Sequence, residues 1–270
     1  MSQKDEYFLG HRQSEQARLQ AQADLFANES SWLFDQFALV PGVRVVEMGC
    51  GPRGSLDELA LRVGDRGQVI GVDSDADTVE LARTFVAEHG LANVEVRSGD
   101  ARSTGLEHDG FDLVTSRLLL VNVAQPEEIV REAVALAKPG GIVAFHEADY
   151  LSFVCDPPLA AWDRAIELLT DYSHRSGTDL FIGRKLPRLL REAGLVDVQS
   201  RPLVYLWPAG HVHRAILPQF VENLSARLVD TGVVGPSELE GVQAALRRHL
   251  DDPDTLVVSF LFLQAWGRKP

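Results

Sequence analysis

The chain is poor in the features that several protein classes need. Its 270 residues hold two cysteines, Cys50 and Cys155, too few for a disulfide framework. Cys50 also lies in a glycine-rich turn, where a cross-link is awkward, so a reducing, cytoplasmic location is expected. No apolar stretch approaches the roughly 20 residues that span a bilayer; the longest, Leu256–Leu263, is interrupted by Ser259 and suits a buried strand. The opening MSQKDEYFLG carries no basic region followed by a hydrophobic one, so no secretory leader is expected. Cationic surface is scarce too, with 26 Lys and Arg against 39 Asp and Glu, a formal net charge of -13 and no Lys/Arg cluster. That is the wrong sign for neutralising phosphates, so neither nucleic acid nor an anionic membrane is an expected partner. His211 and His213 stand one residue apart without a nearby Cys, which makes no metal site. Internal repeats and low-complexity linkers are lacking as well.

What is present is an ordinary globular composition, 45% hydrophobic and 24% charged, sufficient for one elaborated folding unit. Residues 11–39 carry apolar positions at helical spacing and predict two amphipathic helices, a cover preceding the sheet. From Val43 onward short β-branched runs alternate with helical patterns. Strands are expected at Arg44–Met48, Val69–Asp73, Val94–Arg97, Phe111–Ser116 and Gly141–His146, with helices at about 56–63, 75–89 and 126–137. Such alternation predicts a parallel sheet with helices on both faces. Breaks have local causes: Pro41-Gly42 isolates the first strand, Gly90 ends the second helix, and Lys138-Pro139-Gly140-Gly141 stops the third. The pattern then changes. A helix is expected after Pro157-Pro158 to about Ser176, another over Arg184–Ala193, and a strand over Leu195–Leu206. Helices at about 214–230 and 236–250 precede a final strand, Thr255–Trp266.

Glu47-Met48-Gly49-Cys50-Gly51-Pro52-Arg53-Gly54 comes after a strand and opens a helix. Glycines there permit a tight turn and close approach by a ligand, beside free N–H groups at the helix start. Gly49, Gly51 and Gly54 also satisfy the dinucleotide pattern G-x-G-x-x-G, with Asp73 near the spacing of its ribose-binding acid, so the turn alone fits either kind of nucleotide. Asp73 ends an apolar strand and can accept from ribose hydroxyls; the alternative is a cap for the next helix, a role open to Ser74, Asp75 and Asp77 as well. Asp100, at the tip of the third strand, can accept from an adenine amine or serve only as a turn aspartate.

VVEMGCG (Val45–Gly51), VIGVD (Val69–Asp73), Gly99-Asp100-Ala101, FDLV (Phe111–Val114) and KPGG (Lys138–Gly141) together resemble the ordered motifs of class I S-adenosylmethionine-dependent methyltransferases, over about residues 43–147. Five motifs in order carry what none carries singly. The pattern is similar to the quinone and secondary-metabolite members. The resemblance implies an α/β, doubly wound, Rossmann-like fold with a seven-stranded sheet of order 3-2-1-4-5-7-6, strand 7 antiparallel. It implies S-adenosyl-L-methionine as cofactor, with contacts from Glu47, Gly49, Cys50, Gly51, Asp73, Ser74, Asp100, Ala101 and Ser116. Within that set Glu47 orients the turn, Asp73 takes ribose, Asp100 with Ala101 reads adenine, and Ser116 lies by the methionine end. Pro52-Arg53, where small residues are frequent, is a departure that bears on the turn's local geometry.

Three regions are expected: a helical cover over 1–40, the cofactor-binding core over 41–150, and helical lid insertions with the last two strands of the same sheet over 151–270. Acceptor contacts should come from loops beyond the strand tips. His146, at the end of an apolar strand, is the general-base candidate by position, with a loop-bonding histidine as the alternative. Glu147 and Asp149 can serve as base, bind an amine, or cap a helix. Arg117 can meet a carboxylate of cofactor or acceptor, and Tyr7 can close over the sulfonium. The expected activity is methyl transfer to a small-molecule acceptor at oxygen or nitrogen, with carbon also open. The alternatives are an NAD(P)-dependent oxidoreductase, or a protein that binds S-adenosylmethionine without transferring methyl. The cover helices are compatible with a homodimer as well as with a monomer that closes its own pocket.

Overall fold

Val45, Val46, Met48, Val69, Ile70 and Val72 are buried on both sides of two neighbouring strands, as a parallel sheet covered by helices on each face requires. The computed structural model describes residues 26–150 and 152–270. Helix α1 (Ala27–Asp35) leads into β1 (Arg44–Met48), α2 (Leu56–Val63), β2 (Gln68–Asp73), α3 (Ala76–Glu88), β3 (Val94–Ser98) and β4 (Phe111–Arg117). A 3-10 turn (Leu120–Asn122), α4 (Pro126–Leu136) and β5 (Ala137–Asp149) complete the alternating part. These elements fall within a few residues of their sequence-predicted bounds. The first of the two predicted cover helices, and Tyr7 before it, lie outside the described residues.

The remainder departs more. Strand β6 (Val154–Asp156), α5 (Ala160–Ser176), α6 (Ile182–Glu192), β7 (Val196–Leu203) and β8 (Leu206–Trp207) are followed by a 3-10 turn (Val212–Ala215), α7 (Ile216–Asn223), α8 (Ser225–Asp230), α9 (Pro236–Asp251), β9 (Leu256–Val258) and β10 (Leu261–Arg268). Each predicted late strand is thus two. The two breaks face one another: Ser259 N–H donates to the Tyr205 carbonyl, while the Tyr205 N–H donates to Ser259 Oγ, both at 2.8 Å. This clasp turns both chain segments out of the main sheet. The ends beyond it pair with β6 in a three-stranded sheet of order β6-β9-β8, which the sequence pattern does not foretell. The helix expected over 214–230 is likewise a 3-10 turn and two short helices meeting at buried Leu224.

The main sheet has the order β3-β2-β1-β4-β5-β10-β7, with β10 antiparallel to both neighbours, which is the expected 3-2-1-4-5-7-6 arrangement. One face packs Val45, Leu113, Ala144 and Trp266 under α1 and α2 through Leu33, Phe34, Leu56 and Leu59. The other packs Val46, Val114 and Phe145 against α4 and α6, and its core continues into the small sheet through Phe153, Trp207 and Phe260. Each fully buried Leu or Phe of this set contributes about 2 kcal/mol of apolar transfer. The order reverses at β1, which lies between β2 and β4; ligands of such sheets bind beyond the strands' carboxyl ends at that point.

Candidate cofactor and acceptor site

At the carboxyl end of β1 the chain turns sharply through the glycines. Gly49 and Cys50 N–H both donate to the Val72 carbonyl, at 2.7 and 3.1 Å, tying the turn to β2. Gly51 N–H donates to Asp73 Oδ2 at 3.0 Å, and Asp73 Oδ1 accepts from Asp75 N–H at 3.0 Å. The cap of α3 is Asp75, whose side chain accepts from Thr78 N–H at 2.8 Å. Asp73 is therefore not the helix cap; it closes the glycine turn and retains lone pairs directed away from those two donors. Burial pushes its carboxyl up, and the N–H groups of Asp75 and Gly51 oppose that.

Glu47 fastens the far side of the turn. Both its carboxylate oxygens accept from Ser55 N–H, at 3.0 and 2.9 Å, at the foot of α2. A Cβ on Gly54 would meet Glu47 Oε2 at 2.5 Å and the Cys50 carbonyl at 2.6 Å, so only glycine fits there, at φ +55°. Gly51 differs: at φ +60°, a Cβ would meet nothing within 4 Å, so the backbone faces open space in which a ligand can approach. Glu47 is 2% exposed; burial raises its pKa to about 7, with the Arg117 cation pulling the other way. Arg117, at the tip of β4, donates to the Gly54 carbonyl at 3.2 Å and to Ser30 Oγ of α1 at 2.9 Å.

The other expected cofactor residues stand around the same mouth. Ser74 is exposed beside Asp73, Ala101 is half-buried, and Gly99 N–H donates to the Asp73 carbonyl at 2.9 Å. Ser116 is 1% exposed and its hydroxyl has no hydrogen-bond partner. Asp100 is exposed and forked by the Arg102 guanidinium, 2.8 Å from Oδ2, which holds its carboxyl below the usual range. Arg102 was not singled out from the sequence, although its place two residues after Asp100 is the available signal. A half-buried Asp73, an open backbone at Gly51 and an unpartnered hydroxyl at Ser116 fit a ligand carrying ribose and a polar tail, as S-adenosylmethionine does.

The acceptor side has a different make-up. His146 is 2% exposed, with its ring edge-on to Phe26 at 5.1 Å and Phe262 at 5.8 Å, and neither ring nitrogen has a partner. Burial lowers its pKa to about 3, helped by the Arg117 and Arg201 cations, so the imidazole is neutral at physiological pH. Such a group forms hydrogen bonds but has little drive to take a proton from a hydroxyl. Glu147 is a cap: its oxygens accept from Leu119, Leu120 and Val121 N–H at 2.9, 2.8 and 3.3 Å, fixing the loop after β4. Asp149 is fully buried and held by the Arg184 guanidinium. His211 Nδ1 accepts from His213 N–H at 3.2 Å and both rings lie beside Trp207; His174 is exposed on α5. No group of His, Cys, Asp and Glu among the described residues could hold a metal ion.

Sheet register joins two residues without a sequence signal of their own to two that have one. Arg117 pairs with His146, His146 with Gln264, and Gln264 with Arg201, forming one polar row on the α1 face. The faint cue to Gln264 is a lone amide in the apolar run LFLQAWG. A separate groove of about 830 Å³ lies at the amino ends of β2 and β3, by Gly64, Gln68 and Asn93, at the end of the sheet opposite this chemistry.

A family model described as Methyltransferase domain matches residues 39–194. An uncharacterized 37.1 kDa protein in transposon TN4556 of Streptomyces fradiae is 35% identical over 175 residues, covering 64% of this chain and 49% of that protein. The demethylmenaquinone methyltransferase of Bacillus pumilus is 29% identical over 188 residues, covering 65% of this chain and 80% of that one. Among solved structures, Haemonchus contortus phosphoethanolamine N-methyltransferase 2, in complex with phosphomonomethylethanolamine and S-adenosylhomocysteine, superposes with a TM-score of 0.57 at 18% identity, over 90% of this chain and 52% of that chain. The chain spans about half the length of the Streptomyces and Haemonchus proteins. No helix among the described residues is long and apolar enough to cross a membrane.

Proposed function

The chain belongs to the methyltransferase-domain family, S-adenosylmethionine-dependent enzymes, and on that premise we propose that it transfers the cofactor's methyl group to a small organic acceptor. The observation that carries the reading is the glycine turn, open at Gly51 and locked from below by Asp73 and Glu47, at the reversal point of the sheet. When bound, the cofactor supplies a methyl on a sulfonium, whose sulfur leaves as a thioether with the bonding pair while the acceptor's proton passes to water.

The chain's own residues bind and align. Gly49, Cys50 and Gly51 bring backbone close to the methionine portion, Asp73 accepts from the ribose hydroxyls with Ser74 beside it, and Asp100 with Ala101 borders adenine. Ser116 offers its free hydroxyl toward the methionine end. Glu47 positions the turn through Ser55. Alignment of an in-line displacement is the larger part of such catalysis, because the leaving group is already excellent. An oxygen or nitrogen acceptor suits this site, and an electron-rich carbon needs the same alignment. The net charge of -13 argues for a small molecule over nucleic acid.

The test is S-adenosylhomocysteine release, followed by mass spectrometry, when the full chain is given S-adenosylmethionine and a panel of hydroxy and amino compounds. Release above the acceptor-free background with at least one compound is expected. Cofactor binding with no release from any acceptor would assign a binding role without transfer.

A further inference from the structure

The polar row beneath α1 is half secured and half unmet. Its outer members are anchored: Arg117 to Ser30 Oγ and the Gly54 carbonyl, and Arg201 to the Glu29 carboxylate at 3.2 Å, with its guanidinium 3.9 Å over the Trp32 ring. Between them, Gln264 Nε2 donates to the Glu29 carbonyl at 2.7 Å. That bond fixes the amide, because the reversed carboxamide would set two carbonyl oxygens against each other. Gln264 Oε1 is left without a donor, beside a His146 whose two nitrogens are also unmet. Both side chains are almost wholly buried. Aromatic groups bound the row above and below, since Trp266 pairs with Ala144 one step back and Phe262 with Ala148 one step toward the tips. The Phe26 ring, just before α1, packs edge-on against both His146 and Phe262.

Unmet buried polar groups in a native protein call for an explanation, and a missing ligand is one. We propose that His146 and the Gln264 carbonyl dock the polar group of an uncharged, hydroxyl-bearing acceptor with an apolar or aromatic body, and that Phe26 holds that body's place until the acceptor displaces it. The proposal rests on the methyltransferase reading and names its substrate class. Chemistry selects the class. The Gln264 oxygen requires a donor, and the neutral imidazole offers one donor and one acceptor, so the complement is a group that both gives and takes a hydrogen bond. An anionic group has no proton to give the Gln264 oxygen and would set its charge against it, and a cationic one finds no free carboxylate, because Glu29 is paired with Arg201. Arg117 also touches the glycine turn, which places the row next to the cofactor site.

Gln264→Met and His146→Leu test this, with phenol, benzoate and benzylamine as matched probes on the protein loaded with S-adenosylhomocysteine. Expected are a melting midpoint at least ~2 °C above wild type for Gln264→Met, cofactor affinity within threefold of wild type in both variants, and stabilisation of wild type by phenol above that by either charged probe. Both variants should lose that preference. A Gln264→Met protein melting below wild type would make the row a structural network and overturn the proposal, as would a wild type stabilised best by benzoate or benzylamine. A wild type that does not bind S-adenosylhomocysteine removes the methyltransferase reading instead, while the melting shift of Gln264→Met still reads the row.

Discussion

The glycine turn and the His146–Gln264 pair satisfy their polar groups on opposite terms, with the Ser116 hydroxyl beside the turn unmet as well. On the cofactor side the N–H groups of Gly49, Cys50, Gly51 and Ser55 all have partners, and Glu47 and Asp73 each accept two such bonds. On the acceptor side His146 and the Gln264 carbonyl are buried without partners. A buried unsatisfied group costs about 1–3 kcal/mol, so the second side gives up stability that the first retains. The difference teaches that the turn is preorganised and depends on its internal bonds, whereas the acceptor wall is completed by something else. Substitutions should accordingly destabilise the first side and be neutral or stabilising in the second.

The sharpest break in that contrast is Gly54→Ala. The new Cβ would press on Glu47 and the Cys50 carbonyl in a left-handed conformation, costing about 3 kcal/mol or more; chemical denaturation should show that loss together with cofactor affinity too weak to measure. Next is Asp73→Ala, which frees the Gly51 and Asp75 N–H groups and removes the ribose acceptor. Affinity for S-adenosylmethionine should fall by roughly 30- to 100-fold, about 2–3 kcal/mol, and unchanged affinity in a titration would limit Asp73 to holding the turn.

A third effect is in pH. Burial raises Glu147 from the usual 4.5 to about 8, against the pull of its three N–H donors. A carboxyl whose folded pKa is raised stabilises the fold fully below pH 4.5 and loses that contribution as pH climbs to about 8. The stability of wild type relative to Glu147→Gln should therefore decline by roughly 1.4 kcal/mol per pH unit inside that window, measured by denaturation at a series of pH values. A flat difference would mean that Glu147 titrates normally. The smallest effect is Arg102→Ala, an exposed pair with Asp100. Stability should change by less than about 1 kcal/mol and cofactor affinity by less than about threefold.

The same contrast separates what could be read in the sequence from what could not. β1 and α2 were legible to the residue because hydrophobic period, glycine punctuation and strand composition agree there, and Asp73 and Glu47 fall at positions that local order fixes. The acceptor wall is non-local. Gln264 meets His146 only through β5–β10 register across more than a hundred residues, and a single amide in an apolar strand does not announce its partner. The outward turn of β8 and β9 was hidden for the same reason, since it depends on Tyr205 and Ser259 bonding each other from distant segments. His146 was located correctly in sequence, but its neutrality comes from burial and from two distant arginines that spacing does not reveal.

Calorimetric titration of the full chain with S-adenosylmethionine, and separately with NAD, bears most directly on the central claim. One saturable site for S-adenosylmethionine, competed by S-adenosylhomocysteine and absent for NAD, is the predicted result. Binding of NAD alone at the glycine turn would contradict it.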